Sequence, residues 1–156
     1  MLRLLLALMA CILSSCATVA PGSEGIEQIH LFGAPAALNL DGVPGPDGVG
    51  IRIYASSAAV AKGLPIRSGT LEILMFDTVA EAANPVSSKP RHVWTFDPQR
   101  LKSLSGETSM GLGYRLALPW GADKPGGHST TVIARYIPRN GKPIYSAAST
   151  IPLASK

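Results

Sequence analysis

Gly113-Tyr114-Arg115-Leu116-Ala117-Leu118-Pro119-Trp120 is the stretch whose reading decides the fold class. Tyr114, Leu116, Leu118 and Trp120 fall at alternate positions with Arg115, Ala117 and Pro119 between them, and successive side chains of a β-strand point to opposite faces. The stretch therefore reads as a strand with one face in a core. The same period occurs earlier, where Ile51 and Ile53 alternate with Arg52 and Tyr54. It recurs later, where Val132, Ala134 and Tyr136 alternate with Ile133 and Arg135.

Outward from these three segments, short runs rich in Ile, Val, Leu, Tyr and Thr are bounded by Gly, Pro, Asn and Asp. They predict strands over 27–32, 50–55, 69–77, 92–97, 113–120, 129–137 and 143–151. In Ile137-Pro138-Arg139-Asn140-Gly141-Lys142-Pro143, an Asn-Gly pair that tolerates positive φ sits between two strand patterns and predicts a tight hairpin joining the last two strands. Helix is scarce. Asp97-Pro98-Gln99-Arg100-Leu101-Lys102-Ser103-Leu104 offers an N-cap, a proline at the first helical position and an apolar i, i+3 pair, and the Ala-rich segment 56–62 is a second candidate. Without helices between successive strands a parallel sheet is disfavoured. The expected fold is all-β, an antiparallel β-sandwich of immunoglobulin-like or transthyretin-like type with about seven strands.

Composition agrees. The chain has 156 residues, 46% hydrophobic and 15% charged, which suits one globular domain and argues against wholesale disorder. With 16 Gly and 13 Pro it favours turns over long helices. A chain of this size buries a core without disulfide staples. Its formal charge of +4 is mild, and Lys and Arg occur singly or in near pairs such as Lys89 with Arg91, Arg100 with Lys102 and Arg139 with Lys142. Nucleic acid as a partner has little support from such a pattern.

The N-terminus reads as a targeting segment. Arg3 supplies a positive start, residues 4–13 (LLLALMACIL) are apolar, and this run is about half of the ~20 residues a spanning helix needs. Leu13-Ser14-Ser15-Cys16 follows and resembles the lipobox of bacterial lipoproteins. That resemblance implies cleavage before Cys16, lipidation of Cys16, export to the cell envelope and a membrane partnership through the lipid anchor. With Ala17 after the cysteine, it further implies sorting to an outer membrane facing the periplasm. The domains expected are a signal peptide over 1–15, a lipidated cysteine and tether over 16–25, and a β-sandwich over 26–156. Cysteine counting agrees: once Cys11 is removed with the signal, Cys16 has no intrachain partner, and lipidation uses the lone thiol. A signal peptide cut after Ala17 or Ala20 stays open as a second reading.

Reaction chemistry is sparse. No Gly-x-Ser-x-Gly elbow, Ser-x-x-Lys or His-Glu-x-x-His occurs, and the nearest stretch to an elbow, 106–111, spaces its first glycine wrongly. His30, His92 and His128 are far apart in sequence and read as surface or strand-end residues. Asn39, Asp41 and Asp47 lie on the turn-rich loop 39–48, which lacks the calcium-loop template and reads as turn chemistry. Trp94 with Phe96, and Trp120, sit at strand parity and read as core ahead of glycan-binding platforms, for which Tyr145 is a further candidate. No catalytic residue, metal ligand or cofactor is assigned.

Leu38-Asn39-Leu40-Asp41-Gly42, followed by Val49-Gly50-Ile51-Arg52-Ile53-Tyr54, resembles the start of the type VI secretion lipoprotein family. The resemblance implies a transthyretin-like sandwich tethered in the periplasm that docks an inner-membrane protein. Two function classes follow from the whole sequence. One is a lipid-anchored binding or scaffold module of unknown ligand, with a protein partner in the periplasm. It would use the loops 41–48 and 121–128, or an edge strand beginning at Pro143. The other is a cell-envelope glycan or peptide hydrolase or lyase, which requires two of Glu72, Asp77, Asp97 and Glu107 to stand about 5–9.5 Å apart in an open cleft.

Overall fold

The computed structural model describes residues 25–153. The signal over 1–15, Cys16 and the tether up to residue 24 lie outside the described residues. Among the described residues nine strands and two short helices follow one another as β1 (Gln28–Gly33), β2 (Gly48–Ser56), β3 (Thr70–Phe76), α1 (Val79–Ala82), β4 (His92–Phe96), α2 (Pro98–Ser103), β5 (Ser105–Thr108), β6 (Gly111–Pro119), β7 (Ser129–Ile137), β8 (Ile144–Tyr145) and β9 (Ser149–Pro152). They form two antiparallel sheets, one ordered β1-β2-β6-β5, the other β4-β3-β7 with β8 and β9 both paired to β7. The first order is that of immunoglobulin strands A, B, E and D, and the second that of C′, C, F and G. The fold is an antiparallel β-sandwich.

The alternation in 113–120 builds its core. Tyr114, Leu116, Leu118 and Trp120 are buried together with Val49, Ile51, Ile53 and Ala55 of β2. Across the interface they meet Leu71, Ile73 and Met75 of β3 and Val132, Ala134 and Tyr136 of β7. Arg52, Arg115, Ala117 and Pro119 face outward and are exposed. Leu74, Phe76 and Ile133 have the opposite parity and are nevertheless buried, because Ala82 of α1 caps them in a separate small cluster.

Several expectations are corrected. The strand expected over 143–151 is two strands. β8 pairs Tyr145 with Arg135, whereas β9 pairs Ser149 with Val132, so the register slips by one residue in between. Such a slip is a β-bulge. Ser146 stabilises it: its Oγ accepts from the Ala134 N–H at 3.0 Å and donates to the Ala147 carbonyl at 2.8 Å. β5, which is not among the expected strands, is a strand without apolar residues, since only its partner β6 carries the core. Segment 56–62 is not a helix. Ser57 Oγ accepts from Val60 N–H there, and Glu27 reaches across to accept from Ala58 N–H, so the backbone is held in a turn. The missed helix α1 starts at a capping box in which Thr78 and Glu81 bond each other's backbone, a pattern legible as Thr-x-x-Glu. α2 has the cap expected, with Asp97 accepting from Arg100 N–H at 2.7 Å and Pro98 at the first helical position.

Candidate binding groove

The outward face of β2 and its neighbours holds a groove. In register, Arg52 of β2 stands directly opposite Arg115 of β6 on one side and Phe32 of β1 on the other. Around the two arginines the walls are apolar: Phe32, Leu38, Tyr54 and Met110, with Ala117 beyond, enclose about 500 Å³. Glycine shapes the floor. A side chain at Gly50 would meet Leu38 at 2.9 Å, and one at Gly113 would meet the Tyr54 ring at 2.6 Å, so small residues let the walls settle low against the sheet. Tyr54 is buried at this outer surface under the edge of the Phe32 ring, 6.0 Å away between centroids. Phe32 and Met110 are half exposed at the rim.

The charges here are unusual for the molecule. Among the described residues neither the Arg52 nor the Arg115 side chain has a hydrogen bond or ion pair, and no carboxylate lines the groove. On the outer face of the second sheet the equivalent cross-strand pair is Glu72 with Arg135, joined by a 2.6 Å hydrogen bond. Opposite charges face each other on one sheet and like charges on the other, and like charges directly opposite are destabilising.

The residues singled out from sequence are placed differently. At one end of the sandwich Trp120, which leads into loop 121–128, donates its N–H to the Asp47 carbonyl of loop 41–48 at 3.1 Å. The oxygens of the first loop turn onto its own backbone. Asp47 accepts from the N–H groups of Leu40 and Asp41, Asn39 Oδ1 from Gly42, and Asp41 from Val43. The Asn39 and Asp41 bonds are turn bonds of the Asx kind, while those of Asp47 tie the two ends of the loop together. Pro143 precedes β8 and is not itself in a strand.

Of the four carboxylates, Glu72 is held by Arg135, Asp77 by Arg91, and Asp97 by the α2 backbone, while Glu107 is exposed on β5. Asp77 shares a small polar groove with Glu81 and Asp123 and with none of the other three. The Arg91 hydrogen bond holds the Asp77 carboxyl below its ordinary range. The histidines also separate: His30 bonds Ser56 at 2.9 Å, His92 bonds Asp123 at 2.6 Å and lies on Trp94, and His128 is exposed. Trp120 is core as expected. Trp94 is only half-buried, and its indole N–H donates to the Pro119 carbonyl at 2.9 Å beside a second groove that Phe96 and Arg100 also line.

In the sequence Arg52 and Arg115 are alternating positions of two separate strands. Each is a lone charge within an apolar alternation, and only register makes them a pair. No family model, no curated protein and no solved structure matches the chain.

Proposed function

We propose that this protein is a lipid-anchored binding module of the cell envelope, held at Cys16 and facing the periplasm from the outer membrane, that takes up a ligand on the outer face of its first sheet. The observation that carries the binding part is the 500 Å³ groove, whose volume falls within the ~300–1,000 Å³ typical of small-molecule sites. Its predominantly apolar walls converge on a few polar groups, as such sites do. The lipobox resemblance supports the anchor, since several acyl chains hold a protein to a bilayer where one is marginal. No helix among the described residues is long and apolar enough to cross a membrane.

The test uses the full-length chain, expressed with radiolabelled palmitate and then extracted for bound small molecules by mass spectrometry. Wild type should take up label and Cys16→Ser should not. Ala117→Phe, which puts a ring into the groove from an exposed position, should lose the extracted molecules while keeping the label. Retention of the same molecules by Ala117→Phe would remove the groove from the reading. Turnover of peptidoglycan or peptide that disappears with Asp77→Asn or Glu107→Gln would replace the module with a hydrolase.

A further inference from the structure

We infer that the groove selects a single-chain anionic amphiphile, a free fatty acid, with its carboxylate between Arg52 and Arg115 and its chain along the apolar walls. The inference rests on the binding reading above and names the ligand class. Three observations carry it. The arginines face each other across β2 and β6 with no counter-charge among the described residues, although the same protein places Glu72 opposite Arg135 on its other sheet. A planar guanidinium fork matches a carboxylate bidentately, and two forks opposite each other can share one anion. Directly around them the lining is Phe32, Leu38, Met110 and Ala117 with Tyr54, whose hydroxyl lies against Thr108 Oγ1, so the walls are predominantly apolar. An inorganic anion would leave those walls unused. A neutral hydrocarbon would leave two like charges opposed. The volume lies in the lower half of the small-molecule range, which favours one chain over the two of a phospholipid.

The experiment is photo-crosslinking of the full-length protein in nanodiscs of zwitterionic lipid. Three diazirine probes of equal chain length are used: a fatty acid, the corresponding fatty alcohol, and a phosphatidylglycerol built into the disc. Adducts are mapped by mass spectrometry. Fatty-acid adducts should fall on the peptides carrying Phe32 to Leu38 and Met110 to Ala117. They should drop by about tenfold or more in Arg52→Gln/Arg115→Gln, the loss expected for at least one charge-assisted contact. Arg52→Lys/Arg115→Lys should recover part of the labelling. Circular dichroism of the glutamine variant should match wild type, which separates loss of ligand from loss of fold.

Equal groove labelling by alcohol and acid would overturn the fatty-acid assignment and leave a purely apolar groove, so the binding reading would survive. Equal labelling by phosphatidylglycerol would make this face a membrane-docking surface and overturn the assignment. No groove adduct from any probe would sink the binding reading itself.

Discussion

Arg91 donates to both carboxylate oxygens of Asp77, with Nε at 2.6 Å from Oδ1, and this hydrogen bond is the main reason the Asp77 carboxyl titrates below its ordinary range. A carboxyl with a depressed folded pKa contributes stability that is present above the unfolded pKa and is lost as pH falls through the folded one. Wild type should therefore lose part of its thermal stability on acidification below about pH 4, where free aspartate protonates. Asp77→Asn should show a smaller fall between pH 7 and pH 3 by melting followed with circular dichroism. An identical fall in both proteins would mean that the pair contributes nothing to the fold. Asp97, in contrast, is legible as a cap from sequence because its partner Arg100 is three residues away. Asp77 and Arg91 are separated by α1 and the loop after it, and no local pattern links them.

At the scale of elements, the turn between β7 and β8 separates a local property from its context. Asn-Gly predicts two residues at positive φ, yet among the described residues no non-glycine has positive φ, and Gly141 alone in that turn reaches +116°. The connection runs from Pro138 to Pro143 instead of closing on two residues. A side chain at Gly141 would meet Pro138 Cγ at 3.6 Å, an ordinary contact, so the obstacle is backbone conformation and not space. Gly141→Val should cost about 1–3 kcal/mol. Asn140→Val should be nearly neutral, because Asn140 does not occupy that region. Chemical denaturation of the two variants decides it: comparable losses would restore the two-residue turn. The bulge at Ser146 has no such signature. Ser-Ala-Ala-Ser is compatible with continued strand, and the slip exists because β8 and β9 must both pair with β7 while keeping Ile144 and Ile151 against the core.

For the whole molecule, the opposed arginines set a stability cost against a recognition role. Replacing one by a good strand former removes a like-charge cross-strand contact, so Arg52→Thr should stabilise the ligand-free protein by about 0.2–1 kcal/mol at low ionic strength. The gain should shrink as salt screens the repulsion in the parent. A destabilised Arg52→Thr, with no salt dependence, would show that Arg52 serves the fold. Sequence alone determined which residues of β2 and β6 face the main core, because a two-residue period is a property of neighbours in the chain, and Tyr114 to Trp120 carry it unaided. It likewise determined the Asp97 cap and the turn bonds of Asn39 and Asp41, all of which close within four residues. Only the tertiary structure decided which strands pair and in what register. Arg52 and Arg115 became opposite neighbours, and Phe32, Leu38 and Met110 became one wall around them, through backbone ladders between segments dozens of residues apart. Pairing of that kind depends on how the whole apolar surface is buried at once, and no window of sequence contains it.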